Sequence, residues 1–292
     1  MFAFGANSYA VGFAQSQANG DWSNASTWNW RNMTVDIPAE GYPNTSDTSI
    51  ITHVALVNNV NLDVNATAPL MFVSGTLNVV NGSTLNLTGY NGNFLNVQNG
   101  ASFNVVEGSV VVNKNHNDQA DNHYTFGGYD ASNSFHAATA GALTFNADTG
   151  WIGLRYSSSS ANSSIKYYFD NSSLSESQLT NQGVIKISNG RLGYLSKAID
   201  LDFSNVDAYS IGEGTYYVSL ISYENGYYTG NIHVEDLVVN STLADGVSFL
   251  GLEMTDNSLY AKIAVAAVPE PATYAAIFGA LALAFAAYRR RK

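Results

Sequence analysis

Apolar and polar residues alternate in short runs through the first part of the chain. Val60-Asn61-Leu62, Leu77-Asn78-Val79 and Leu95-Asn96-Val97 each read apolar, Asn, apolar. Alternation of period two sends successive side chains to opposite faces, so each run predicts a short strand with its Asn outward. Asn81-Gly82-Ser83-Thr84-Leu85-Asn86-Leu87 returns 18 residues later as Asn99-Gly100-Ala101-Ser102-Phe103-Asn104-Val105. Leu77–Val79 maps onto Leu95–Val97 by the same offset, and Val60–Leu62 precedes Leu77–Val79 by 17. The Asn-Gly pairs supply the positive φ that a corner needs. Stacked in register, such strands predict an all-β fold, a right-handed parallel β-helix or solenoid whose coils bury their apolar faces against one another. An antiparallel meander closed by Asn-Gly hairpins is the alternative.

Beyond Val112 the register fades. A polar insertion, Lys114 to Asp121, is followed by strand echoes at Ala142 to Phe145, Val184 to Ile187 and Arg191 to Leu195. Runs after Gly214, from Val247 to Leu252 and from Ser258 to Ile263 predict capping strands that close a solenoid passenger over residues 19–263. Charged residues are 12% of the chain, about half the usual share. Asn, Ser, Thr and Gly take their place, as befits turns and solvated strand faces.

The last residues change character. Val268-Pro269-Glu270-Pro271 precedes Ala272 to Tyr288, a stretch with no charge, and Arg289-Arg290-Arg291-Lys292 follows. At about 1.5 Å per residue the apolar stretch is roughly 25 Å long, which predicts a single C-terminal transmembrane α-helix at the short end of the range. The basic end would hold the tail on the cytoplasmic side with the body outside. This order of Pro-Glu-Pro, apolar helix and basic end, within residues 264–292, resembles the PEP-CTERM sorting signal of Gram-negative bacteria. The resemblance implies export, recognition of Pro-Glu-Pro by a membrane exosortase, and a host that makes exopolysaccharide. It implies nothing about the passenger.

Residues 1–18 are small and apolar and end Phe-Ala-Gln-Ser-Gln-Ala. They predict the second half of a secretory signal, cut near Ala14 or Ala18, although its basic n-region is missing. The following Gly20-Asp21-Trp22, Trp28-Asn29-Trp30, Pro43 and Asp47 to Ile51 resemble the capped opening of secreted, autotransporter-like β-helices.

The net charge is −11; without the last four residues, 8 basic stand against 23 acidic residues, a net −15. Nucleic acid is excluded as a partner, since binding it needs a positive patch. The chain has no cysteine, so disulfides and thiolate chemistry are excluded. The acidic residues are scattered, with no paired-carboxylate motif in the repeats and no catalytic signature of the common kinds. No catalytic residue or required cofactor is therefore expected. His116, Asp118, Asp121 and His123, in one polar loop, are candidate ligands for a calcium or transition-metal ion, or simply a solvated turn. Trp22, Trp28 and Trp30 are candidates for stacking on a sugar ring, or for core packing. The leading expectation is an exported structural or adhesive protein of the cell envelope, associated with extracellular polysaccharide. A carbohydrate-binding or polysaccharide-degrading β-helix protein is the alternative, and a permanently anchored membrane protein a third.

Overall fold

The computed structural model describes residues 12–33, 36–48, 50–88, 95–98, 100–114, 123–125, 132–136, 142–153, 164–176, 183–194, 198–224, 227–228, 237–255, 258–267 and 271–290. β1 (Gly12–Ser16), β2 (Gly20–Asp21) and β3 (Trp28–Arg31) open the fold. Three short triplets follow: β4 (Ile51–Leu56), β5 (Asn59–Leu62) and β6 (Ala66–Ala68); β7 (Met71–Val73), β8 (Thr76–Val79) and β9 (Ser83–Leu87); β10 (Leu95–Val97), β11 (Ser102–Val105) and β12 (Gly108–Lys114). Next come β13 (His123–Thr125), β14 (Ser132–His136), β15 (Leu143–Gly153), β16 (Ser164–Asp170), β17 (Ile185–Tyr194) and β18 (Ala198–Asn205). A single-turn helix, α1 (Ala208–Ile211), precedes β19 (Gly214–Tyr223), β20 (Tyr227–Tyr228), β21 (Val238–Leu243), β22 (Val247–Met254) and β23 (Ser258–Val265). The chain continues into α2 (Pro271–Arg290).

These strands form two sheets. The smaller has the order β2-β5-β8-β11-β14-β16-β18-β21, with every neighbouring pair parallel. In the larger, the path from β4 through β7 and β10 to β13 is parallel, as is the path from β6 through β9 and β12 to β15. Successive members of each triplet thus enter different ladders. Apolar residues alternate inward along most of the strands whose side chains are described, giving one continuous core that runs from Ala14 to Val265. A file of rings lies within it: Phe103, Phe135, Tyr167, Phe169 and Phe203 follow one another at centroid separations of 4.7 to 6.1 Å.

Two expectations are corrected. The first concerns the repeat: Leu77–Val79 does pair with Val60–Leu62, 17 residues back, but its next neighbour is Phe103–Val105, not Leu95–Val97. The offset of 18 joins two different ladders, for Leu95–Val97 pairs with Met71–Val73. Connections lengthen along the chain, with offsets of 17, 26 and 30 between successive rungs from Asn61 to Ser134.

The second correction is to the fold class. In place of a right-handed parallel β-helix with a transmembrane helix, the chain is mostly β, with parallel-rich sheets that become antiparallel at β1–β3, β19–β23 and β22–β23. Among the described residues, no helix is long and apolar enough to cross a membrane. Side chains of α2 are described only from Ala275 to Arg290, and that stretch ends in two arginines.

Gly12–Ser16, within the expected signal segment, forms β1, held between β3 and β4. Ala14 and Ser16 are buried there, and Ser16 Oγ accepts from the backbone N–H groups of Val57 and Asn58.

Candidate functional site

Parallel pairing without slippage carries one outward position of each strand in the smaller sheet into a single row. The row is Asp21, Asn61, Asn78, Asn104, Ser134, Lys166, Asp200 and Asn240. Five neighbouring pairs along it are bonded side chain to side chain. Asn61 Nδ2 donates to Asp21 Oδ1 at 3.1 Å, Asn78 Nδ2 to Asn61 Oδ1 at 3.0 Å, and Asn104 Nδ2 to Asn78 Oδ1 at 2.9 Å. Ser134 Oγ donates to Asn104 Oδ1 at 2.7 Å, and Asn240 Nδ2 to Asp200 Oδ1 at 2.7 Å. An amide has two N–H donors and an oxygen with two lone pairs, so each Asn in the ladder retains bonding capacity beyond its neighbour.

Lys166 turns sideways in this row. Its Nζ lies 3.0 Å from Asp202 Oδ2 and 4.5 Å from the centre of the Tyr168 ring. Ser204 donates to Asp202 Oδ1 twice, from its N–H at 3.1 Å and from its hydroxyl at 2.6 Å. Burial pushes the Asp202 carboxyl up, but the Ser204 hydrogen bonds and the Lys166 ammonium outweigh it and hold the group below its ordinary value. The hydrogen bond to Asp202 raises Lys166 above its own ordinary value against a smaller opposing effect of burial. Asp202 is thus an ionised structural partner and is poorly suited to move protons.

A second outward group lies on the larger sheet. The Phe13 and His53 rings stack at 4.6 Å, and His53 meets Phe72 edge to face at 5.3 Å. Thr52 Oγ1 is 2.9 Å from His53 Nδ1, and burial lowers the His53 pKa. The Phe13 and His53 faces that meet in the stack are closed to a ligand. Sequence reasoning missed the group because its members lie far apart in the chain. Only the register of β1, β4 and β7 aligns them.

The tryptophans proposed for sugar stacking serve the core. Trp22 is fully buried and its Nε1–H donates to the Pro43 carbonyl at 2.8 Å; Trp28 is buried and donates to the Trp22 carbonyl at 2.8 Å. Their rings pack edge to face at 4.7 Å, while Trp30 lies partly buried against the same core. Neither Trp22 nor Trp28 offers a face to a sugar.

Of the metal-loop candidates, His116, Asp118 and Asp121 lie outside the described residues, and His123 starts β13 opposite Trp151. Among the described residues no group of three or more His, Asp or Glu could hold a metal ion. Val268, Pro269, Glu270, Arg291 and Lys292 of the tail motif also lie outside the described residues. Pro271 opens α2, while Arg289 and Arg290 close it. The side chains of α2 from Ala275 onward are exposed, and Phe278, Leu281, Leu283 and Phe285 are at least 60% open to solvent.

No protein-family model, curated protein or solved structure matches the chain.

Proposed function

We propose that this chain is an exported structural or adhesive protein of the bacterial envelope, without enzymatic activity. Its C-terminal tail is the address, read and removed by an exosortase at Val268-Pro269-Glu270-Pro271, and its β body acts outside the cell in contact with extracellular polysaccharide. One observation carries the proposal: α2 presents Phe278, Leu281, Leu283 and Phe285 uncovered, and closes in Arg289 and Arg290. Apolar surface of that extent is normally covered by another molecule, and a tail handled by a membrane enzyme meets that condition.

The body supports the second half of the reading. Three carboxylates are engaged in structural contacts: Asp202 with Lys166 and Ser204, Glu253 with Lys262 at 2.8 Å, and Asp63 with Ser23 at 2.5 and 3.0 Å. The row from Asn61 to Ser134 offers neutral amides and a hydroxyl, groups that exchange hydrogen bonds with sugar hydroxyls without an ionic cost.

Mass spectrometry of the protein from a host with an exosortase, and from the same host lacking it, tests the proposal. The mature chain should end within or just before Val268–Pro271 in the first host and run to Lys292 in the second. A chain intact to Lys292 in both hosts rejects the sorting role. Failure of the tail-free body to cosediment with the host's exopolysaccharide rejects the adhesive one.

A further inference from the structure

Sheet edges expose unpaired backbone N–H and C=O groups, and proteins normally blunt them. Five of the edges here carry such a device. β2 and β20 are two residues long. β3 is four residues long and ends in Arg31. β6 is covered by the preceding chain, for the Thr45 N–H donates to the Thr67 carbonyl and the Thr67 N–H to Asn44 Oδ1. β22 is bulged between Phe249 and Gly251 and carries the Glu253–Lys262 ion pair.

β21 carries none. Its six residues, Val-Val-Asn-Ser-Thr-Leu, include no charge and no proline, and its pairing with β18 is free of bulges. It ends the smaller sheet, and among the described residues no strand pairs with its outer side. Val238 is 59% and Leu243 39% exposed, so apolar surface flanks the open backbone.

We infer that β21 is a self-association edge, at which two copies of the chain pair antiparallel about a twofold axis through Ser241. A twofold interface brings the same patch of each copy together. Antiparallel pairing places opposed residues on the same face, so the axis must pass through a residue. Centred on Ser241, the register sets Val239 opposite Leu243 of the second copy and Asn240 opposite Thr242, apolar on apolar and polar on polar. Centred on Asn240, it would set Val238 against Thr242 and Val239 against Ser241. Charge also favours a second copy. The chain is acidic overall, at −11, so two copies repel over most of their surface, but β21 itself carries no charge, and the Asp200 carboxylate beside it is bonded to Asn240. Asp245, two residues beyond the strand, would face Leu237 of the second copy and not another carboxylate. The inference is independent of export and of the tail.

The absence of native cysteine makes the test direct. Opposed residues of an antiparallel pair lie about 4.5–5.5 Å apart at Cα, inside the span of about 4.4–6.8 Å that a disulfide bridges. Full-length Ser241→Cys, held in mild detergent to cover α2, should oxidise to a covalent dimer on a non-reducing gel. Tyr209→Cys, also exposed but on α1, should stay monomeric. Adding Leu243→Lys to the Ser241→Cys chain should abolish the crosslink while circular dichroism shows the β fold unchanged. A Ser241→Cys chain that crosslinks no faster than Tyr209→Cys, or a crosslink indifferent to Leu243→Lys, overturns the inference.

Discussion

Asn78 Nδ2 donates to Asn61 Oδ1 at 3.0 Å across the β5–β8 ladder, and Asn78 Oδ1 accepts from Asn104 on the opposite side. One side chain therefore joins three consecutive rungs. Each such bond contributes about 0.5–1.5 kcal/mol net, and removing one partner leaves others incompletely satisfied. Asn78→Ala should lower stability by about 1–2 kcal/mol in urea denaturation. Replacing Asn240, which ends the row on an exposed strand, should cost less than half as much.

Trp22 fills the first turn of the core, and its N–H is bonded to Pro43. Trp22→Ala should destabilise the fold by about 3–5 kcal/mol, as large core truncations do. Trp22→Phe should fold, lose a smaller amount, and bind exopolysaccharide as the parent does. A folded Trp22→Phe body that no longer bound the polymer would restore the stacking role.

How much of this was legible beforehand depended on distance along the chain. The apolar-Asn-apolar runs revealed strands and which side chains point out, because alternation is a local property. They could not assign strands to ladders, because Leu77–Val79 and Leu95–Val97 have nearly the same pattern but occupy different ones. Only the length of each connection decides that, and the lengths vary too much to be read as a period. The Phe13–His53–Phe72 group and the Lys166–Asp202 pair were invisible for the same reason. The tail stood out because its signal is contiguous, and the run does form one helix, Pro271–Arg290.

Two glycines at corners separate steric cost from conformational cost. Gly108 has φ +148°, and a Cβ there would lie 2.3 Å from the Ser83 carbonyl oxygen; Gly82 has φ +70° with nothing within 4 Å. Gly82→Ala incurs only the left-handed backbone penalty, about 1–2 kcal/mol. Gly108→Ala must also push β12 away from β9, so it should lose clearly more in thermal unfolding, or fail to fold. Equal losses would show that the close approach is soft.

The Lys166–Asp202 pair fixes the sign of one pH effect. The folded pKa of Asp202 is depressed, so its contribution is present above the ordinary carboxyl value of 3.8 and is lost as pH falls through the lower folded value. Lys166 is raised, so its contribution holds below 10.5 and is lost only as pH rises past the folded value. Stability attributable to the pair should therefore be flat through neutral pH and fall in acid. Asp202→Asn should flatten the acid limb of a stability-against-pH curve, measured by urea midpoints. An unchanged acid limb would remove Asp202 from the account.

β1 yields a prediction for the start of the mature chain. Cutting after Ala18 would remove the strand between β3 and β4, expose Trp28 and Val54 at the ladder it vacates, and orphan the Val57 and Asn58 N–H groups that Ser16 Oγ accepts. A chain made to begin at Asn19 should lose several kcal/mol or fail to fold, since a buried donor without its partner costs about 1–3 kcal/mol before any packing is lost. Cutting after Ala14 divides the strand and should be nearly as damaging. N-terminal sequencing of the exported protein should accordingly find Gly12–Ser16 retained. A native, exported chain beginning at Gln15 or Asn19 would show that β1 is dispensable, and that β3 and β4 close the sheet without it.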